Sequence, residues 1–370
     1  MKKKAFLYQK LYDDIRQKIE HGEYKSGQLL PPERELGEAY GVERTTVRRA
    51  LQMLSDDQLV SKLPGKGTVI SAEGTLPHED IKYDGGDNSG SPMRTIGFFI
   101  PQNKKIANKI MFPTYTSLLF LTQQECSERN MRLIYSALDE QKELDEYLGA
   151  MHFDGIIFVS TVPEHHLLRA RELGIPAVLL NNHNPLITSI CTDNFEGGSN
   201  VARYLANLGH TNILLIAGNT SSLNCRERVQ GFIDEMHEMG LSVDQRVYGG
   251  SSWSFESGYH ETKRALDELK SPPTAIFTCG DRLAVGALKA LAEHGLEVPG
   301  DVSVVGYDNS EQAMYANPKL TSVDTNLKTL AIVSIRFLLD IAANPPLANV
   351  PLKIMVPPTL VEHNSTRAII

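Results

Sequence analysis

Cationic and hydroxyl side chains between positions 44 and 49 are the first residues in the chain suited to specific chemistry. They are Arg44, Thr45, Thr46, Arg48 and Arg49. An arginine can donate two hydrogen bonds to a guanine edge, and a threonine can offer its hydroxyl to phosphate and its methyl group to thymine. Arg44 and Arg48 are four residues apart and share a face if the segment is helical. The pattern predicts a helix that reads the major groove of DNA; the competing interpretation is an ordinary solvated basic face.

Further basic residues flank this segment and extend the predicted DNA-binding surface. Arg34 lies ahead of it, and Lys62, Lys66 and Gly67 follow around a Pro-Gly-Lys-Gly sequence at 64–67. Such side chains suit the phosphate backbone or the minor groove, where they fix orientation without reading bases.

Three helices and a short hairpin must position these residues. Leucine and isoleucine at four-residue spacing predict a helix over 7–21, a second helix runs from Pro31-Pro32 to Tyr40, and a third spans about 44–57. Gly41 is placed to end the second helix, which leaves a tight turn before the third. Short β-like runs at 58–62 and 68–71 then predict a wing.

Charge is distributed unevenly along the chain. Residues 1–70 hold thirteen Lys and Arg against ten Asp and Glu, a net charge of +3, and the remainder holds 24 against 35, a net charge of −11. A basic head on an acidic body is typical of a DNA-binding domain attached to a sensor or partner domain.

The rest of the chain reads as a linker followed by an α/β body. Residues 72–93 are rich in turn formers and predict a flexible linker. From Thr95 onward, apolar strands alternate with amphipathic helices, which favours parallel sheets with helices on both faces, divided into two lobes. The predicted strands are 95–100, 131–136, 155–160, 176–181, 212–217, 274–278 and 302–306, and the clearest helices are 194–208, 225–239, 255–269 and 281–294.

Composition argues against several other classes of protein. No apolar run is long enough for a membrane span and no apolar signal-peptide core follows Met1-Lys2-Lys3-Lys4, so a cytoplasmic protein is expected. The four cysteines are spaced neither as a disulfide framework nor as metal ligands, and reduced thiols in or near the core are expected. His183 and His210 are isolated, so neither a metal nor a cofactor is predicted.

The first seventy residues resemble the GntR-type winged-helix domain nearly end to end, over residues 7–71. The resemblance rests on Leu30–Leu36, Gly41–Leu51 and Gly65–Thr68. It implies that the residues at the places of Arg34, Arg44, Thr45, Thr46, Arg48 and Gly67 touch DNA. Glu43 departs from the family, which often has serine or threonine there; it suits the helix dipole but would repel phosphate.

Residues 94–370 resemble the LacI/GalR sensor module, which has a periplasmic-binding-protein fold. The resemblance rests on the segments 153–157, 192–210, 228–232, 298–308 and 320–323. The expected organisation is therefore a winged helix at 1–71, a linker at 72–93 and a two-lobed sensor at 94–370 built on two doubly wound parallel sheets. Lobe one is expected to comprise about 94–190 and 320–343, and lobe two about 191–319 and 347–370.

The second resemblance implies a sugar site, because sugars present hydroxyls and apolar C–H faces that charged groups and an aromatic ring can match. The implied residues are Asn181, Asn224, Arg228, Trp253, Asp281 and Asp308. All of them except Asn224 have a structural alternative: Arg228 could pair with Glu227 on the surface, Trp253 could belong to the core, Asn181 and Asp308 could stabilise turns, and Asp281 could be a helix N-cap. The loop 101–116 is longer than usual, and Phe112 and Tyr115 have no assigned counterpart.

These observations predict a homodimeric DNA-binding regulator. The leading expectation is a repressor of carbohydrate-use genes that leaves a near-palindromic operator when it binds a small sugar, such as a pentose or a hexose. A ligand-dependent activator or a corepressor-controlled regulator is the alternative. A sugar-modifying enzyme with a DNA-binding head is more remote, because the catalytic motifs sought are missing from the sequence. A secreted receptor is disfavoured by the missing signal peptide.

Overall fold

The structure is a computed structural model that describes residues 7–20, 23–24, 28–56, 59–63, 67–70, 95–102, 112–149, 151–241, 247–250 and 252–369. Lys66, the predicted linker 72–93 and the side chains of Arg34, Arg44, Thr45 and Lys62 lie outside the described part. The chain divides into two compact units, Met1–Ser89 and Gly90–Ile370.

The described residues of the first unit form three helices and a two-stranded antiparallel hairpin. They are α1 (Leu7–Glu20), α2 (Glu33–Tyr40), α3 (Arg44–Asp56), β1 (Val60–Leu63) and β2 (Gly67–Ile70). Gly41 ends α2 in the left-handed conformation, with φ 61°, which a side chain would disfavour. The predicted apolar stripe of α3 packs inward, since Val47, Ala50 and Leu54 are fully buried against Leu11 and Ile15 of α1.

Two six-stranded sheets form the framework of the described part of the second unit. The first contains β3 (Thr95–Gln102), β4 (Arg132–Asp139), β5 (Gly155–Val159), β6 (Ala177–Leu180), β7 (Thr188–Thr192) and β13 (Lys353–Val356). The second contains β8 (Ile213–Ala217), β9 (Val247–Gly249), β10 (Ala275–Thr278), β11 (Ser303–Tyr307), β12 (Thr321–Asp324) and β14 (Thr359–Val361). Their orders are β13-β7-β6-β5-β3-β4 and β14-β12-β11-β10-β8-β9, and every pair is parallel except β12 with β14. The predicted α/β class with two parallel sheets is confirmed.

Helices connect and cover these strands. They are α4 (Pro113–Glu128), α5 (Leu144–Leu148), α6 (Glu164–Glu172), α7 (Asn194–Asn207), α8 (Leu223–Glu238), α9 (Phe255–Glu268), α10 (Asp281–Glu293), α11 (Glu311–Tyr315) and α12 (Leu327–Ala343), with a 3₁₀ turn at Pro345–Asn349. Across the described ranges, none of the helices combines the length and apolarity that a bilayer crossing requires. All four cysteines are buried and unpaired, as expected.

The lobe boundaries expected from the sequence need correction at two strands. Strand β12, expected in the first lobe with 320–343, pairs with β11 in the second sheet, and β13, expected in the second lobe with 347–370, pairs with β7 in the first. The chain thus crosses between sheets after β7, after β12 and again after β13. Hydrogen bonds tie the crossings together, from Thr192 Oγ1 to the Thr325 carbonyl (2.8 Å) and from the Asp193 N–H to the Val356 carbonyl (2.9 Å). A short apolar run shows that a strand exists but not which sheet it joins.

Candidate functional site

A cavity of about 350 Å³ opens at the carboxyl ends of strands from both sheets. Ser160 follows β5, Asn181 follows β6, Gly280 follows β10 and Asp308 follows β11, and all four line the cavity. Open parallel sheets place their ligand sites at this edge. The six sequence-predicted ligand residues all line this one cavity: Asn181, Asn224, Arg228, Trp253, Asp281 and Asp308.

An ion pair between the buried Arg228 and the half-buried Asp308 forms part of the cavity wall. Arg228 Nη1 lies 3.3 Å from Asp308 Oδ1, and Arg228 is only 6% exposed. Arg228 also donates from Nε to Asn194 Oδ1 (2.8 Å) and from Nη1 to the Cys279 carbonyl (2.6 Å). Its Nη2 makes no hydrogen bond to any residue that the structure describes, which leaves donors for a ligand. The surface pair with Glu227 is not formed, since Glu227 contacts Lys353 at 3.4 Å.

Close approach of α7 and α8 determines where Arg228 lies. A Cβ at Gly198 would lie 2.1 Å from the Arg228 carbonyl oxygen, and one at Gly231 would lie 2.0 Å from the Phe195 carbonyl oxygen. Only glycine permits these backbone contacts. The helix α7 is fixed in turn by Asp193, whose side chain accepts a hydrogen bond from the Glu196 N–H. Asn194, the first residue of α7, is thereby positioned to bond the Arg228 guanidinium.

Two aromatic rings flank the guanidinium of Arg228. Its Cζ lies 3.7 Å from the ring centroid of Tyr307 and 5.6 Å from that of Trp253. Tyr307 is fully buried, whereas Trp253 is half-buried and lines the cavity. A Cβ at Gly218 would lie 2.4 Å from the Trp253 ring, so one ring face rests on backbone. Trp253 therefore packs on the core and also offers an apolar surface to the cavity.

Asp281 is a fully buried carboxylate in the cavity wall. It is the first residue of α10, and the N-cap position is Gly280, so the N-cap alternative does not apply. Its Oδ1 accepts from Ser322 Oγ (2.6 Å) and its Oδ2 from the Ser310 N–H (2.7 Å). Burial, and secondarily the charge of Asp308, raise the pKa of Asp281 to about 7, and burial also raises the pKa of Asp308.

Asp281 makes the stability of the second unit depend on pH. Its folded-state pKa of about 7 lies above the ordinary 3.8, so between these values the folded chain holds a proton that the unfolded chain releases. The free energy of unfolding therefore falls as pH rises through this window. In the wild-type protein we expect the free energy of unfolding to fall by an amount on the order of a few kcal/mol between pH 5 and 8, and we expect Asp281→Asn to remove this fall. Urea denaturation at several pH values measures it, and parallel profiles for the two proteins would contradict it.

Polar and aromatic contacts cross the cavity between the two sheets. Asn224 Nδ2, on α8, donates to Asn181 Oδ1 at 3.1 Å. Asn181 itself has φ 58°, so it is a turn residue as well as a cavity residue. The guanidinium of Arg282, on α10, lies 5.2 Å from the ring centroid of Phe112, at the start of α4. These contacts join the two lobes through side chains that also line the cavity.

Sequence reasoning did not assign several residues of this wall. Tyr115 Oη donates to Ser160 Oγ at 3.0 Å, and both residues line the cavity together with Phe112, Arg282 and Ser310. Phe112 and Tyr115 lie within the expected loop 101–116, where no counterpart could be assigned, although the structure places Tyr115 in the first turn of α4. In the sequence, only its position beside Asp281 distinguished Arg282. Asn194 lay within the recognised segment 192–210 but was not assigned. His210 is buried and bonded to Thr274 Oγ1 and the Arg367 carbonyl, which is a structural role.

The predicted DNA-binding surface is described in part. Arg48 Nε donates to both carboxylate oxygens of Glu33, at 3.0 and 3.3 Å, and the Arg48 side chain is 58% exposed. Arg49 is directed elsewhere, with its Cζ 4.1 Å from the ring centroid of Tyr8 on α1. Thr46 is half-buried, and its N–H bonds the Glu43 carbonyl. Gly67 begins β2, where it pairs with Leu63. Contact of these residues with DNA stays a prediction.

Two family models match the chain. The model described as "Bacterial regulatory proteins, gntR family" matches residues 7–70, and the one described as "Periplasmic binding protein-like domain" matches residues 202–366. Among curated proteins, the HTH-type transcriptional regulator DegA of Bacillus subtilis (strain 168) is 31% identical over 271 residues, which cover 70% of this chain and 79% of DegA. The probable HTH-type transcriptional repressor ExuR of the same strain is 26% identical over 320 residues, 84% of this chain and 92% of ExuR.

Solved structures share this fold. A LacI family transcriptional regulator from Enterococcus faecium with bound ribose is 26% identical, has a TM-score of 0.65, and covers 75% of this chain and 100% of its own. A complex of the transcriptional regulator CelR with cellobiose is 23% identical with a TM-score of 0.64, over 98% of this chain and 100% of its own; at that identity the likeness concerns the fold alone.

Proposed function

The chain belongs to the GntR/LacI-type transcriptional regulators, and from that premise we propose that it is a repressor of carbohydrate-use genes that a small sugar releases from its operator. The sugar would be a pentose or a hexose, or a derivative of one. A homodimer would present two winged-helix heads to a near-palindromic operator, because a two-fold symmetric protein matches a two-fold symmetric site.

The observation that carries this proposal is the makeup of the cavity wall. The Arg228–Asp308 pair offers donors and acceptors close together, which suits neighbouring hydroxyl groups on one ring. Trp253 offers an apolar face that suits the C–H surface of the same ring. The regulator from Enterococcus faecium that shares this fold was solved with bound ribose, which supports a ligand of the same class.

Coupling between sugar and operator requires the sugar to favour one arrangement of the lobes. A differential affinity worth about 1–3 kcal/mol is typical for such coupling. The Asn181–Asn224 bond and the Arg282–Phe112 contact cross the cavity, so a ligand that bridges the same walls would favour closure. The alternative sign, in which the ligand strengthens DNA binding, is decided by the experiment below. Relatives and structural neighbours are transcription regulators, not enzymes, which sets aside the sugar-modifying alternative.

Trp253 provides a direct test of site and ligand, because it is the only tryptophan in the chain. We expect a saturable change in its fluorescence when a pentose, a hexose or one of their derivatives enters the cavity. The same sugar should release the protein from DNA selected from a random duplex pool, as measured by fluorescence anisotropy of the labelled DNA.

A matched variant separates binding from its signal. Trp253→Phe keeps an aromatic face but removes the fluorophore, so calorimetry should still detect the sugar, whereas Trp253→Ala should weaken binding about tenfold. A sugar that tightens DNA binding would establish the corepressor or activator alternative. If no pentose, hexose or derivative changes the Trp253 fluorescence or the DNA binding, the sugar proposal is contradicted.

A further inference from the structure

Among the described residues, Arg228 and Arg282 line the cavity together with the carboxylates of Glu140, Asp281 and Asp308, and the two arginine charges differ in how they are balanced. Arg228 faces Asp308 at 3.3 Å, so its positive charge is neutralised within the protein. Arg282 has no carboxylate within 4 Å among the residues that the structure describes. A guanidinium beside a cavity keeps its full charge at any physiological pH, and a carboxylate or phosphate is the group that best satisfies it.

The guanidinium of Arg282 lies over an aromatic ring in the cavity wall. Its guanidinium lies 5.2 Å from the Phe112 ring centroid, and both residues line the cavity. Stacking on an aromatic face leaves the edge donors of a guanidinium available for a planar or tetrahedral anion. Arg282 is the second residue of α10, so the positive end of that helix adds to the field of the side chain.

The surrounding polar groups fit an anion at this end of the cavity. Ser310 lines the cavity, and its N–H donates to Asp281 Oδ2 at 2.7 Å, so part of the hydrogen-bonding capacity of that carboxylate is already used. Asp281 has a pKa of about 7 because of its burial and the nearby Asp308, so near neutral pH it is partly protonated and opposes an anion less than an ordinary carboxylate would. Glu256 is the carboxylate whose pKa the charge of Arg282 helps to lower, but hydrogen bonds from its own backbone and from Ser254 lower that pKa more. Glu256 does not line the cavity.

We propose that Arg282, whose guanidinium lies over the Phe112 ring, forms a subsite for an anionic group of the effector, so that the ligand is an acidic sugar rather than a neutral one. This inference rests on the proposed sugar-binding function. Arg228 and Asp308 take the hydroxyls, and Arg282 takes the carboxylate of a sugar acid or the phosphate of a sugar phosphate. The shared chemistry is an anion attached to a polyol, and the experiment separates the two sources.

Matched probes test the subsite: D-glucose, D-glucuronate and D-glucose 6-phosphate, together with D-ribose and D-ribose 5-phosphate. Binding is measured by Trp253 fluorescence and by calorimetry, at low and high salt. At least one acidic probe should bind about tenfold or more tightly than its neutral partner, and its affinity should fall with added salt. Tight binding of the glucuronate alone would identify a carboxylate, and tight binding of either phosphate would identify a phosphoryl group.

Variants tie the effect to one side chain. Arg282→Gln should weaken the acidic probe at least tenfold and leave the neutral sugar within about twofold, while Arg282→Lys should retain part of the preference. Arg264→Gln is the matched control, because Arg264 also stacks on an aromatic ring, Tyr248 at 4.9 Å, but lies outside the cavity lining.

The outcomes distinguish this inference from the proposed function. Neutral sugars that bind as tightly as acidic ones, with no selective loss in Arg282→Gln, would overturn the anionic subsite and leave sugar binding in place. If none of the probes binds, both the anionic subsite and the proposed sugar-binding function are overturned.

Discussion

Replacing Arg228 by methionine is expected to abolish the sugar response and to lower the free energy of unfolding of the second unit by about 3 kcal/mol. Methionine matches much of the arginine stem but leaves the half-buried Asp308 without its cation. Removing one partner of a buried ion pair typically costs about 3–5 kcal/mol, and the partial exposure of Asp308 places the expected loss at the lower end of that range. The bonds to Asn194 Oδ1 and the Cys279 carbonyl are lost as well. Urea denaturation followed by circular dichroism measures the stability, and calorimetry measures the sugar.

A second substitution shows whether the loss of the Arg228–Asp308 ion pair causes the lower free energy of unfolding. In the double variant Arg228→Met with Asp308→Asn, the unpaired charge is gone, so a substantial part of the lost stability should return while the sugar response stays absent. The first unit has its own buried core, and DNA binding should survive in both variants. If Arg228→Met is as stable as the wild-type protein, the Arg228–Asp308 ion pair does not contribute to the stability of the second unit.

Replacing Arg48 by alanine is expected to weaken binding to a preferred DNA site at least tenfold. A bidentate arginine–guanine contact is worth about 1–3 kcal/mol of discrimination, and a symmetric dimer loses it at both half-sites. In the protein alone Arg48 bonds Glu33 while remaining 58% exposed, so removing it should cost the fold about 1 kcal/mol or less. Anisotropy with preferred and scrambled duplexes measures both affinity and specificity.

Arg49→Ala is the matched control, because it removes the same charge from the next position of the same helix. The Arg49 guanidinium lies over Tyr8, so any contact it makes with DNA should be with phosphate. We expect a smaller loss, similar for every duplex sequence, and a shallower dependence of affinity on salt. If Arg48→Ala lowers affinity equally for preferred and scrambled DNA, the assignment of Arg48 to base reading is wrong.

The sequence predicted the architecture well wherever local pattern determines local structure. The four-residue spacing of apolar positions and the glycine at 41 are sufficient for the three helices and the turn, since both act within a few residues. Strands followed by polar residues, such as those before Asn181 and Asp308, likewise show where one edge of a parallel sheet gathers its side chains. All six predicted ligand residues line one cavity; the strand-end rule accounts for Asn181 and Asp308, and the resemblance to the LacI/GalR sensor module implied the others.

Other features depend on contacts between distant segments and could not be read from local pattern. Whether β12 or β13 joins a given sheet depends on partner strands far away in the sequence. The role of Asp281 depends on Ser310 and Ser322, which lie 29 and 41 residues away along the chain. Arg282 next to Asp281 resembles any surface arginine in sequence, and only the fold brings it to Phe112.

The amide bridge between Asn181 and Asn224 joins the two lobes directly, from one protein side chain to another. If closure is the arrangement that leaves DNA, a protein bond that favours closure would keep a fraction of molecules in that state without sugar. In a cell, that fraction would be measured as the basal transcription of the target genes. Weakening the bridge would therefore lower the basal transcription of the target genes without sugar, and would raise the sugar concentration needed to induce them.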